Sequence, residues 1–153
     1  MEAFHHFQPN TVEGAVALLR EAGSKGCVIA GGTELVGCLK DDLWLEPPEA
    51  VIDLKSISGL NEIHFADNTL KVGALATLTE ISESELVRKI CPGLAEAARR
   101  TASPLLRNMG TIGGNICQEN RCWYYRYPDN LGGKIPCVRK GGQKCLAVPG
   151  DHR

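Results

Sequence analysis

The apolar positions change their spacing several times along the chain, and each change marks a different element. From Thr11 to Gly23 they recur at helical intervals, behind a cap at Asn10 or Thr11 and ahead of a stopping glycine, which predicts an amphipathic helix. Cys27-Val28-Ile29-Ala30 is a short continuous apolar run suited to a buried strand, and it leads through Gly31-Gly32-Thr33-Glu34 into a helical stretch over 35–40. A second apolar run, Ala50-Val51-Ile52-Asp53-Leu54, follows the pair Pro47-Pro48. The first 55 residues thus read as a βαβ-like lobe that ends near Ser58-Gly59.

Past that point the period changes again. Leu60–Ile63 and Thr69–Gly73 have strand character on either side of Ala66-Asp67-Asn68, good turn chemistry that predicts a hairpin. A helical segment begins at Thr79-Glu80, continues over Leu86–Ile90 and is broken by Cys91-Pro92-Gly93; a further helix follows over Leu94–Thr101 and stops at Ser103-Pro104. Arg107–Asn115 holds too much glycine for a helix and too little alternation for a strand, and is expected to keep its backbone open for a ligand. From Cys117 onward there is no regular periodicity, repeat or low-complexity tract.

Composition narrows the function classes. At 153 residues the chain suits one domain or two small lobes, and 17 basic against 18 acidic residues give no electrostatic case for nucleic acid or an anionic membrane surface. No apolar stretch approaches membrane-spanning length and the N-terminus lacks a secretory pattern, so a cytoplasmic protein is expected. His5 and His6 read as solvated side chains rather than metal ligands. The seven cysteines are odd in number and do not tile into internal disulfides. Cys27, Cys38 and Cys91 stand alone in apolar or helical contexts and read as packing residues. Cys117, Cys122, Cys137 and Cys145 instead share one 29-residue segment rich in Gly, Pro, Tyr, Arg and Lys, which reads as a site.

Two glycine-bearing loops carry further chemistry. Ala30-Gly31-Gly32-Thr33-Glu34 lies between a strand and a helix, where converging backbone N–H groups and the helix dipole suit a diphosphate. The fingerprint G-x-G-x-x-G is absent, which disfavours a Rossmann reading, and a Gly-Gly turn alone is more often structural. Thr111-Ile112-Gly113-Gly114-Asn115 is a second such loop, and together the two can embrace one long anionic cofactor from two lobes.

Ala30–Leu35, Val72–Leu78 (Val-Gly-Ala-Leu-Ala-Thr-Leu) and Arg107–Asn115 resemble, in order and spacing, the FAD-binding flavin subunit of the xanthine dehydrogenase and molybdenum hydroxylase family. The resemblance implies an α+β, two-lobed FAD-binding domain of the vanillyl-alcohol-oxidase type, also called PCMH-like, without the family's C-terminal subdomain. It implies lobes at 1–58 and 59–153, the second including the cysteine-rich loop at 117–145. FAD would lie between them, with Ala30, Gly31, Gly32, Thr33, Glu34 and Leu35 at the diphosphate region, and Ala74, Thr77, Thr111, Gly114 and Asn115 along the flavin. Asp151, in Gly150-Asp151, matches a later element that the family places at its cofactor.

The cysteine pattern, Cys117-x4-Cys122-x14-Cys137-x7-Cys145, lacks the paired spacing of a zinc knuckle. A [4Fe–4S] cluster is the better candidate, with Lys134, Arg139, Lys140 and Lys144 offsetting its negative charge. The segment resembles the insertion of the 4-hydroxybenzoyl-CoA reductase flavin subunit and of certain aldehyde oxidoreductases, which implies Cys117, Cys122, Cys137 and Cys145 as ligands. The expected function is that of an oxidoreductase subunit relaying electrons between iron-sulfur centres, FAD and an external redox partner. Its partners would be a molybdopterin-binding large subunit and a small [2Fe–2S] subunit, with no nucleic acid and no membrane, and substrate chemistry would occur elsewhere. Two rivals stay open: a truncated scaffold without flavin, and a zinc-stabilised interaction module.

Overall fold

The structure is a computed structural model that describes residues 2–128 and 135–150. Its first part is a parallel three-stranded sheet: β1 (His5–Phe7), β2 (Gly26–Ile29) and β3 (Ala50–Asp53), in the order β1-β3-β2. His5 and Gly26 both stand opposite Ala50, so β3 is the central strand. Its Val51 and Ile52 are buried, as an apolar run in a parallel sheet should be, and Asp53 is buried beside them. Helix α1 (Val12–Ala22) starts where the Thr11 hydroxyl accepts from Gly14 N at 3.1 Å and stops at Gly23, whose φ is +56°. It packs Ala15, Leu18 and Leu19 onto Ile52 and Ile57. Helix α2 (Leu35–Lys40) follows the glycine turn at the residues expected.

The second part begins with an antiparallel hairpin, β4 (Ile63–Ala66) and β5 (Thr69–Val72). Its turn residues Asp67 and Asn68 have φ of +51° and +57°, the left-handed pair that matches strand twist in a two-residue hairpin. Five short helices follow: α3 (Leu78–Glu83), α4 (Glu85–Ile90), α5 (Pro92–Arg100), α6 (Pro104–Met109) and α7 (Ile112–Ile116). The Cys91-Pro92-Gly93 break is also a start, since Pro92 opens α5 at a position where a missing N–H costs nothing. Arg107–Asn115 is not the irregular segment expected. It spans the end of α6 and all but the last residue of α7, each nucleated by a hydroxyl cap, Ser103 and Thr111 respectively. Cys91 is exposed rather than packed.

Beyond Cys117 come a one-turn helix, α8 (Trp123–Arg126), and a 3-10 turn at Val138–Lys140. The described residues form three small cores. One lies under α1, and one joins the hairpin to α3, α4 and α5 around Ile81 and Val87. In the third, Tyr125 and Cys137 pack on Cys38 and Leu43, so the cysteine segment lies back against residues of the first sixty. The two sheets fall on either side of the proposed boundary at 58/59. No helix among the described residues is long and apolar enough to cross a membrane.

Candidate cofactor site

The three motif segments meet. An ideal Cβ on Gly31 would lie 2.7 Å from the Met109 carbonyl carbon and nearer still to its oxygen, so the glycine is what lets the 30–35 loop touch the end of α6. Leu78 N donates to Gly110 O at 2.9 Å, Ile112 N to Ala76 O at 2.9 Å and Gly113 N to Ala74 O at 2.9 Å, which laces 74–78 to 110–113. A Cβ on Gly113 would come within 2.8 Å of the Ala74 oxygen. Gly31 and Gly113 therefore serve the join between segments, where the sequence suggested backbone held open for a ligand. Gly32 has φ of +73° and turns the chain, while Gly114 meets only Thr111 Oγ1, at 3.2 Å.

Where these segments meet there is a cleft of about 510 Å³, in the size range of small-molecule sites. Ala30, Gly31, Thr33, Glu34, Leu35, Ala74, Thr111 and Gly114 line it, all of them expected at the cofactor. Asn115 lines an adjoining cleft of about 270 Å³ that shares Thr33, Glu34, Thr111 and Gly114. Gly32 lines a further open groove with Lys40 and Lys55. Thr77 is not in the lining of the main cleft. Its hydroxyl accepts from Glu80 N at 3.1 Å and donates to Glu80 Oε2 at 2.9 Å, a capping box that starts α3. Asp151 and Lys134 lie outside the described residues. The mostly apolar wall, punctuated by the hydroxyls of Thr33 and Thr111, fits a flat aromatic ring with polar edges.

Sequence reasoning missed the charges behind this wall. Glu34 Oε1 pairs with Arg126, and Oε2 accepts from Arg121 Nη2 at 2.9 Å. Arg126 also donates through Nη1 to Cys38 Sγ at 2.9 Å, and burial pushes the Cys38 thiol pKa up against the pull of that guanidinium. The partners are 87 to 92 residues apart in the chain, so no local pattern announces them. On the sheet side, Lys55 Nζ bridges Asp53 Oδ2 at 2.8 Å and Ala30 O at 3.1 Å, tying β3 to the glycine loop. Burial raises the Asp53 pKa, but the hydrogen bonds and charge from Lys55, helped by His6, outweigh it and hold the carboxyl below its ordinary value.

The four expected metal ligands do not gather. Cys137 is buried and Cys122 half-buried in the third core, beside Cys38, whereas Cys117 and Cys145 are exposed. Among the described residues no three Cys, His, Asp or Glu form a group that could hold a metal. The nearby cations have other work: Arg139 pairs with Glu119 at 2.5 Å and stacks 4.3 Å over the Tyr125 ring, and the buried Lys140 donates to Tyr127 O at 2.8 Å. As arranged, the residues do not fit a cluster.

Residues 2–122 match the family described as the FAD binding domain in molybdopterin dehydrogenase. The chain belongs to that family. Within it, the nicotinate dehydrogenase FAD-subunit of Eubacterium barkeri is 41% identical over 117 residues, covering 76% of this chain and 39% of that one. The aldehyde oxidoreductase FAD-binding subunit PaoB of Escherichia coli K12 is 36% identical across 100% of this chain and 46% of its own. The solved carbon monoxide dehydrogenase of Hydrogenophaga pseudoflava superposes with a TM-score of 0.71 at 38% identity, over 75% of this chain and 39% of that one. This is the α+β, PCMH-like fold of the family's FAD-binding domains. The chain spans about two-fifths of the length of these curated relatives.

Proposed function

We propose that this chain is the FAD-binding part of the flavin subunit of a molybdenum-containing hydroxylase or reductase, a cytoplasmic oxidoreductase. In it, electrons would pass through FAD between an external redox partner and the iron-sulfur centres of a small [2Fe–2S] subunit, which serves a molybdopterin-binding large subunit. The observation that carries the reading is the convergence of 30–35, 74–78 and 109–114 on one cleft. Bound FAD supplies the redox chemistry, taking up and passing on electrons. The chain's own residues bind and orient it. Gly31, Gly32 and Thr33 would present main chain and a hydroxyl to the diphosphate, Thr111, Gly114 and Asn115 would hold the ring system, and the apolar wall would exclude water. Glu34, Leu35, Ala74, Thr77 and Asp151 complete the proposed set. No side chain is assigned acid–base work, because substrate turnover belongs to the molybdenum subunit.

Gly114 offers the test, because it lines the cleft and an added Cβ would meet only the Thr111 hydroxyl, at 3.2 Å. The complete subunit should purify with FAD, and Gly114→Val should fold with the same circular dichroism and lose most of the flavin. Parent protein without flavin would refute the cofactor. Full flavin in Gly114→Val would refute the site.

A [4Fe–4S] cluster on Cys117, Cys122, Cys137 and Cys145 has narrower support: four thiols in 29 residues, in a segment that the alignment with the aldehyde oxidoreductase subunit runs across. Its ligands would have to be drawn together, so no step of the electron path is routed through it. Iron and acid-labile sulfide in anaerobically prepared subunit, lost on Cys122→Ser, are the expected result. Absence of both removes the cluster.

A further inference from the structure

We propose that Arg126 is a positioning residue for the cofactor cleft, a clamp by which the cysteine-bearing segment holds Glu34 of the glycine loop and Cys38 of α2. The ligand in this proposal rests on the FAD reading above; the clamp rests on geometry. The Arg126 side chain is only 20% exposed and uses its donors in two directions. Toward its own segment, Nε donates to Asn120 O at 2.8 Å and Nη2 to Glu119 O at 3.0 Å. Toward the first lobe, Nη2 meets Glu34 Oε1 and Nη1 meets Cys38 Sγ. Glu34, Cys38 and Glu119 all line the 510 Å³ cleft. One guanidinium thus ties three residues of its wall.

Arg121 holds the other Glu34 oxygen but is 70% exposed, where solvent screens the pair. Arg126 is therefore the partner that keeps the Glu34 charge compensated. Two consequences follow. Without Arg126 the wall loosens, because Glu34 and Cys38 lose the group that spans them. The carboxylate also acts uncompensated on the cleft, and since reduction of a bound redox group adds negative charge, its potential falls. Lysine separates the two effects: it restores the charge, but as a point charge it cannot span four acceptors as the planar fork does.

The test uses the complete subunit with Arg126→Gln, Arg126→Lys, Glu34→Gln and the Arg126→Gln/Glu34→Gln pair. FAD affinity is followed by flavin fluorescence, the midpoint potential by spectroelectrochemistry, and alkylation of Cys38 by peptide mass mapping. Arg126→Gln should weaken FAD binding on the order of tenfold, the factor that 1.4 kcal/mol makes. It should also lower the potential and speed Cys38 alkylation, since opening the buried thiol to reagent outweighs the lost pull of the guanidinium toward thiolate. Arg126→Lys should recover potential but not Cys38 protection, and serves alone if the glutamine variant fails to fold. In the double variant the second change should add little to the affinity loss, since both remove one contact. Parent-like affinity, potential and alkylation in Arg126→Gln, or fully additive losses, would overturn the proposal. If the parent binds no FAD, the cofactor reading falls, and Cys38 alkylation alone decides the clamp: faster in Arg126→Gln upholds it, unchanged overturns it.

Discussion

Replacing Gly31 by alanine adds one methyl group at the point where the glycine loop touches α6. The new Cβ would sit 2.7 Å from the Met109 carbonyl carbon, against ordinary contact from 3.4 Å, so this peptide must retreat by at least about 0.7 Å. The neighbour is backbone, which cannot swing aside as a side chain can, and overpacking of this kind costs about 1–3 kcal/mol. The retreat also strains the bond from Leu78 N to Gly110 O, worth about 1 kcal/mol net. A loss of about 3 kcal/mol should lower Tm by about 6–12 °C in a chain of this size. Gly32→Ala is the control. Its Cβ meets only the side chains of Ile29 at 3.4 Å and Val36 at 3.5 Å, leaving the strain of φ +73°, about 1–2 kcal/mol. Thermal unfolding by circular dichroism, with flavin content of the complete subunit beside it, should rank Gly31→Ala below Gly32→Ala in Tm and below the parent in flavin. A Gly31→Ala protein that melts with the parent would refute the close approach and the join built on it.

Thr77→Ala removes the capping box of α3 and should cost about 0.5–2 kcal/mol, read as a fall in urea midpoint; if flavin content falls with no change in midpoint, Thr77 acts on the cofactor and not on the helix. Acid should destabilise the fold through Asp53 and Glu96. Both carboxyls have folded pKa values below their ordinary ones, Asp53 through Lys55 despite burial and Glu96, from 4.5 to about 2, through hydrogen bonds from Arg99 and Arg100. Depressed acids stabilise above their ordinary pKa and lose that contribution as pH falls through the folded value, so Glu96→Gln should flatten the decline between pH 4.5 and about 2. An unchanged acid limb in both Glu96→Gln and Asp53→Asn would contradict these pairings.

Elements with strong local signals were legible in the sequence. The Thr11 cap with its helix, the apolar runs of β2 and β3, and the Asp67-Asn68 turn each carry their cause within a few residues. β1 went unread because three exposed residues offer neither alternation nor apolar run, and it exists through pairing with β3. α7 went unread because Gly113 and Gly114 argue against a helix, while the Thr111 cap and the bond from Gly113 N to Ala74 O hold it. For the site, the order and spacing of the glycine segments anticipated that they meet at one cleft. The role of Gly31 as a spacer against Met109 depends on a neighbour 78 residues away, and the Arg126 clamp on one 92 residues away. The spacing of the four cysteines carries no information about which of them burial separates.

That same distance sets the order of events on the ribosome. Gly31 emerges with the first sheet, but the Met109 backbone that it meets is 78 residues further on, a delay of about 4–16 s at ~5–20 residues per second. The first sheet and α1 can form in that interval from contacts within 5–57. The cleft cannot, since its far wall is still unmade. Until 109–114 arrive, the glycine loop is a half-site turned to water, and a cofactor that needs both walls can be captured only after most of this chain has been synthesised.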